Sequence, residues 1–153
     1  MIQILIGLLL TITPVFELRA GLPIIVEYAI RHQMPILPLF LLVLILNILI
    51  IFFIFFLLDV LHDSLMKIKA YRYFMNYYMK RARKRADKVE KSRLGYLALT
   101  LLVAVPLPGT GAWTGTLVAW LLGWKRATSF LAISLGVIIA GLIILGMSIG
   151  IFN

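Results

Sequence analysis

Two long apolar runs constrain this chain more than any other feature of its sequence. They cover residues 35–58, in which Asn47 is the only polar side chain, and residues 127–152. A helix that rises ~1.5 Å per residue needs ~20 residues to cross a hydrocarbon core ~30 Å thick. Each run therefore predicts a full transmembrane helix.

The composition of the whole chain agrees with a membrane protein. Of its 153 residues, 63% are hydrophobic and 14% are charged. Soluble domains carry about 25% charged residues, so this chain lacks the polar side chains that would cover a soluble surface. The absence of cysteine excludes disulfides and thiolate metal sites.

Two further apolar regions are interrupted near their centres. Residues 1–34 are interrupted at Pro14, Glu17, Arg19, Gly21 and Pro23, and residues 95–124 at Pro106, Pro108, Gly109, Gly111 and Gly115. The arms on each side are about a dozen residues long and too short to span a bilayer alone. Because non-helical backbone at membrane depth must be buried or hydrated, each region predicts a re-entrant hairpin. Two complete short spans per region remain the alternative.

The order of these elements repeats along the chain. A hairpin at 1–34 precedes the span at 35–58, and a hairpin at 95–124 precedes the span at 127–152, on either side of a linker at 59–94. We therefore predict an all-α integral membrane protein built as an inverted repeat, with membrane repeats at 1–58 and 95–153. Transporters that contain such repeats place their binding sites at the repeat interface.

The basic residues predict the orientation in the membrane. Eleven of the 15 Lys and Arg residues lie between 67 and 93, and Lys125 and Arg126 precede the last span. The positive-inside rule places both regions in the cytoplasm and both termini outside the cell membrane. Tyr71, Phe74 and Tyr78 at helical spacing predict that the linker forms a helix. Either this helix lies at the interface on anionic lipids, or its charges only determine the topology. No nucleic-acid recognition motif accompanies the charge, so lipids are the predicted partners.

The first tip carries the most unusual side chains. Glu17 and Arg19 are charged residues in an otherwise apolar region. A charge at the bilayer centre costs at least ~2.5 kcal/mol, so such residues face protein or water and pair with each other. They predict a site for a substrate or a proton, with a purely structural ion pair as the alternative.

The second tip is uncharged and rich in glycine, from Pro106 to Gly115. Its free amide groups and hydroxyls could face an anion, although it is not a P-loop. The predicted site consists of Glu17, Arg19, Pro23, Pro106, Pro108, Gly109, Thr110, Gly111, Thr114 and Asn47. We interpret Asn47 chiefly as an interhelical hydrogen-bond donor. No metal, cofactor or enzymatic activity is expected.

Two other groups of residues have a plainer interpretation. Small residues at spacing four, at 115, 119 and 123, at 132, 136 and 140, and at 146 and 150, favour close helix packing and a homo-oligomer. His62 with Asp59 and Asp63 is a weak metal or proton-relay candidate, and the acids fit better at the start of a cytoplasmic helix.

Both tips resemble a known family. The stretches Pro14-Val15-Phe16-Glu17-Leu18-Arg19-Ala20-Gly21-Leu22-Pro23 and Pro106-Leu107-Pro108-Gly109-Thr110-Gly111-Ala112-Trp113-Thr114-Gly115 are similar to the signature stretches of the small multidrug export protein family. That family is similar in architecture to the DedA/VTT superfamily, which has paired re-entrant loops and includes lipid scramblases. The resemblance implies that Glu17 matches the acid of the first DedA loop. Thr110 and Gly111 stand where DedA proteins carry an arginine, and Arg19 could supply that cation.

Three functions are compatible with these residues. The first is a transporter or scramblase that moves an amphipathic, lipid-like anion between the tips, with possible proton coupling. The second is a proton-coupled drug exporter in which Glu17 alternates between a proton and a cationic drug. The third is a membrane scaffold without transport activity, in which Glu17 and Arg19 would be dispensable.

Overall fold

The structure is a computed structural model that describes residues 2–14, 16–69, 72–73, 76–77, 94–107 and 109–152. These residues form helices and connecting turns, without a strand among them. The helices are α1 Ile2–Ile12, α2 Glu17–Arg31, α3 Ile36–Leu65, α4 Leu94–Ala104, α5 Ala112–Leu122 and α6 Arg126–Phe152. The predicted all-helical class is confirmed. The interfacial pattern at Tyr71, Phe74 and Tyr78 and the basic run at 80–85 lie outside the described residues.

Two of these helices, α3 and α6, are long and apolar enough to cross a membrane. Only 33% of the most apolar window of α3 and 39% of that of α6 are buried inside the protein. A core helix of a soluble protein would be mostly buried, so the exposed apolar surface favours a lipid environment. The first span is longer than predicted, because α3 continues past residue 58 and ends at Leu65.

The four remaining helices are short, and they precede the long helices in pairs. Helices α1 and α4 each have 11 residues, α2 has 15 and α5 has 11. At ~1.5 Å per residue an 11-residue helix is ~16 Å long, about half of a hydrocarbon core. Each half of the chain thus contains two short helices followed by one long helix.

The two halves pack into each other. Helix α2 of the first half lies against α6 of the second, and α5 of the second half lies against α3 of the first. The shared core includes Leu22, Ile25 and Val26 on α2 and Ile133 and Val137 on α6, all almost completely buried. Part of the core therefore lies between the two halves.

Glycines permit the closest helix contacts. A side chain at Gly21 on α2 would collide with the hydroxyl of Thr11 and the carbonyl oxygen of Gly7, both on α1. A side chain at Gly136 on α6 would approach the carbonyl oxygen of Thr100 on α4 to 2.8 Å. The predicted role of the 132–140 stripe in close packing is therefore observed, and its partner is α4 of the same chain.

Candidate functional site

The first tip is a tight turn between α1 and α2. Glu17 begins α2 with a φ of 47°, a left-handed conformation that non-glycine residues rarely adopt. Its backbone N–H donates to the carbonyl oxygen of Thr13 at 3.0 Å. The turn thus directs the side chain of Glu17 into the protein, where the residue is only 3% exposed.

The carboxylate of Glu17 caps a helix from the other half of the chain. The backbone N–H of Ala112 donates to its Oε2 at 3.1 Å, and that of Trp113 donates to its Oε1 at 3.0 Å. These are the first two N–H groups of α5, which have no partner within the helix. A negative charge at this position also interacts favourably with the positive end of the helix dipole. The acid of the first tip is thus the N-terminal cap of α5.

Gly111 makes room for this cap. It precedes α5 with φ −98° and ψ −153°, an extended conformation that any residue can adopt. A Cβ atom at this position would overlap the carboxylate of Glu17. Glycine is therefore required at position 111 for space and not for backbone freedom.

Arg19 joins the same junction from the first turn of α2. Its Nη2 donates to the carbonyl oxygen of Val105 at 3.2 Å and to Oγ1 of Thr110 at 3.0 Å. Its Nη1 lies 3.8 Å from Oε2 of Glu17, and the side chain is 13% exposed. The Nε–H of Arg19 is buried and has no acceptor among the described residues.

Hydroxyl groups hold the second tip in shape. Oγ1 of Thr110 lies within hydrogen-bond distance of the carbonyl oxygens of Val105 (2.8 Å) and Leu107 (2.9 Å). Oγ1 of Thr114 donates to the carbonyl oxygen of Gly109 at 2.6 Å. Gly109 has a φ of 82°, in the region that favours glycine. The tip is thereby folded around Thr110, the residue that Arg19 contacts.

The structure brings together part of the predicted site. Glu17, Arg19, Thr110 and Gly111 meet directly, and Gly109 and Thr114 support them within the second tip. Pro106 is half-buried in the same turn, between α4 and Thr110. Pro108 lies outside the described residues.

Two predicted site residues have other positions. Pro23 does not break the first tip, because α2 begins at Glu17 and continues through it to Arg31. Nδ2 of Asn47 donates to the carbonyl oxygen of Val43, one turn earlier on α3, at 3.3 Å. The interhelical hydrogen bond predicted for this amide donor was therefore wrong, and Oδ1 of Asn47 is buried without a partner among the described residues.

Sequence reasoning missed the contribution of Trp113. Its backbone N–H binds Glu17, and its indole Nε1 donates to the carbonyl oxygen of Ile12, in the last turn of α1, at 3.2 Å. A tryptophan within the glycine-rich tip was the available signal. Indole rings need an acceptor when they are partly buried, and a free carbonyl at the end of α1 supplies it.

The Asp59, His62 and Asp63 cluster also differs from its prediction. These residues lie in the last turns of α3 and not at the start of a cytoplasmic helix. Asp59 accepts hydrogen bonds from the indole of Trp120 and from Arg126, each at 2.9 Å. Within the described ranges, no group of three or more metal-ligating side chains converges.

Comparison with known proteins gives one match. A family model described as "Putative small multi-drug export protein" matches residues 17–143, most of the chain and both tips. No curated protein and no solved structure matches the chain.

Proposed function

The chain belongs to the small multi-drug export protein family, and from this premise we propose that it is a transporter that exports amphipathic anions through the junction between its two tips. The partly buried guanidinium of Arg19, beside the N-terminus of α5, is the observation that carries this proposal. A helix N-terminus and a planar arginine fork are the two groups that proteins use most often to bind phosphate and carboxylate. At this junction they hold the carboxylate of Glu17 instead.

In the proposed mechanism Glu17 occupies the anion site when substrate is absent. Its carboxylate makes the contacts that a substrate anion would make with the N–H groups of Ala112 and Trp113. Protonation of Glu17 removes the negative charge that favours these contacts. An anion then binds to α5 and Arg19, and loss of the proton from Glu17 expels it. This exchange couples transport of the anion to a proton.

The lengths of the helices support a site within the membrane. Because α1, α4 and α5 are each ~16 Å long, they reach about halfway through a bilayer. We propose that each pair of short helices is a re-entrant hairpin and that the tips meet near the midplane. The proposed topology is the inverted repeat, with the linker in the cytoplasm and both termini outside. A lipid-like tail of the substrate would then remain in the bilayer while its charged group passes the tips.

The export of cationic drugs is less well supported by this geometry. The carboxylate of Glu17 already accepts two N–H groups and lies near Arg19. A cationic drug would have to compete with both N–H groups and with Arg19 for this carboxylate. A scaffold without transport activity predicts that both tip residues can be replaced without loss of function.

Reconstitution of two tip variants tests the proposal. Glu17→Gln and Arg19→Lys in proteoliposomes should each lower the rate of movement of fluorescent phosphatidylglycerol at least about tenfold, which is ~1.4 kcal/mol. Glutamine cannot carry the charge that caps α5, and lysine keeps the charge of Arg19 but lacks its fork. A proton gradient should accelerate the wild-type protein and leave Glu17→Gln unaffected.

The second charged pair of α2 supplies matched controls. Glu27 and Arg31 form an i, i+4 ion pair of 2.8 Å that is more exposed than the tip. Glu27→Gln and Arg31→Lys should retain wild-type rates, because such surface pairs contribute little. Wild-type transport by both tip variants would refute the mechanism and favour the scaffold.

A further inference from the structure

Two adjoining cavities lie at the opposite end of α5 from the tips, where α3 ends and α6 begins. One is an apolar groove of about 590 Å³, lined by Phe52, Phe55, Phe56, Ala127, Phe130 and Leu131 with Asp59 and Arg126 at its polar part. The other is a polar cavity of about 270 Å³, lined by His62, Trp120, Gly123 and Trp124. Phe55, Asp59 and Arg126 line both, so one ion pair separates the groove from the polar cavity.

The ion pair leaves part of the arginine available. Both contacts of Arg126 with Asp59, at 2.8 and 2.9 Å, are made by Nη2. Nη1 and Nε make no hydrogen bond to any described residue, and the side chain is 63% exposed. Asp59 is itself held by the indole of Trp120. Asp59 therefore holds the guanidinium of Arg126 by Nη2, and its Nη1 and Nε donors face no protein acceptor within the described part of the chain.

Trp124 contributes to the wall of the polar cavity and not to its hydrogen-bond donors. It lines this cavity and is 8% exposed, and its Nε1–H is buried away from the open space, without an acceptor among the described residues. The N–H donors that the cavity offers to an oxygen acceptor are therefore those of Arg126.

The apolar groove supplies the complementary half of a site. Phe52 and Phe130 pack against each other with ring centroids 4.4 Å apart, and Phe52, Phe56 and Leu131 are exposed. Because these side chains lie on the two helices that are long enough to span the membrane, the groove opens towards lipid. A volume of this size and an apolar lining with a few polar groups are typical of ligand sites.

We propose that these cavities bind one anionic phospholipid of the cytoplasmic leaflet, with an acyl chain in the groove and the phosphate at Arg126. Charge complementarity identifies the lipid as anionic. Eleven basic residues between 67 and 93 follow directly after α3. Such basic segments concentrate anionic lipids at the membrane surface. This site is separate from the tips, and binding there does not depend on transport.

Quenching of tryptophan fluorescence tests this site. Protein in phosphatidylcholine vesicles receives increasing fractions of phosphatidylglycerol with brominated acyl chains, which quench Trp120 and Trp124 on contact. Arg126→Gln should weaken the apparent affinity about tenfold, which is ~1.4 kcal/mol. Ala127→Phe should weaken it about fivefold, because the larger side chain fills the groove.

Neighbouring positions provide matched controls. Lys125→Gln removes the same charge, Thr128→Phe adds the same ring, and neither residue lines the cavities. Both should stay within about twofold of the wild type. Equal quenching by brominated phosphatidylcholine would overturn the proposal, as would equal losses in Arg126→Gln and Lys125→Gln. Reversal by millimolar inorganic phosphate would show that the cavity binds free phosphate and would equally exclude the lipid.

Discussion

A single carboxylate joins the two halves of this protein. Glu17 accepts the N–H groups of Ala112 and Trp113, which are 95 and 96 positions away along the chain. A capping residue next to the helix that it caps positions only that helix. Glu17 belongs to α2 and caps α5, so it also fixes α5 relative to α2. The left-handed backbone of Glu17 and the missing side chain at Gly111 are the two local conditions for it.

Substitution of Gly111 by alanine tests this junction, because it adds a single methyl group. Gly111→Ala should lower the free energy of unfolding by about 2–4 kcal/mol, because the new methyl group displaces a charged acceptor from two N–H groups. Alanine adopts the φ and ψ of this position readily, so the loss reports the overlap and not backbone strain. Thermal unfolding in detergent would measure it.

Gly146→Ala is the matched control for this substitution. No atom lies within 4 Å of a Cβ at position 146 among the described residues. Alanine there should raise stability by about 0.5–1 kcal/mol, because glycine is unfavourable within helices. The same fall in melting temperature for both variants would contradict the steric role of Gly111.

At the scale of a helix, the glycines of α6 have two different surroundings. Gly136 packs against Val103 and Thr100 of α4, and the hydroxyl of Thr100 lies 3.0 Å from the carbonyl oxygens of Ala132 and Tyr96. Gly146 and Gly150 have open space around them in the described structure. Gly136 therefore serves the fold, and the end of α6 at Gly146 and Gly150 is available to another copy of the chain.

These two surroundings predict opposite results for the same substitution. Gly136→Leu should destabilise the monomer by several kcal/mol, because its side chain has no room beside α4. Gly146→Leu should leave the fold intact and weaken the homo-oligomer that we propose, since close helix contact needs small residues. Thermal unfolding and sedimentation in mild detergent would separate the two effects. A wild-type protein that remains a monomer in detergent and in nanodiscs would refute the assembly.

At the scale of the whole molecule, helices of each half pack against helices of the other half. The reciprocal packing of α2 on α6 and of α5 on α3 creates one core from two similar units. Their similarity is not complete, because α1 packs mainly on α2 whereas its counterpart α4 packs mainly on α6. The two tips also differ from each other, because the first carries charged side chains and the second is rich in backbone amide groups.

Single cysteines would determine the proposed topology, because the chain contains no cysteine of its own. Cysteines at Ala82 and Ala127 should react with a membrane-impermeant reagent from the cytoplasm, and those at Gln33 and Asn153 from outside. Positions 33 and 127 are exposed in the structure, whereas 82 and 153 lie outside the described residues. Reaction of the cysteine at Gln33 from the cytoplasm would exclude the inverted repeat.

Sequence alone predicted a membrane protein, two helices long enough to cross a bilayer, and turns at both tips. Hydropathy is a sum over neighbouring residues, so the run at 35–58 predicts a helix whatever packs against it. Likewise, a charge such as Glu17 or Arg19 in an apolar region is costly wherever it lies, so sequence alone predicted that both would find polar partners within the protein.

The partner of each polar group depends on the tertiary structure. Glu17 caps α5 and Asp59 orients Arg126, and both contacts join helices distant in sequence. Asn47 instead bonds within its own helix. Gly136 and Gly146 have the same spacing pattern and differ only in what lies beside them. Local composition limits the elements that form, whereas hydrogen bonds and close packing depend on distances between elements, which the order of residues does not reveal.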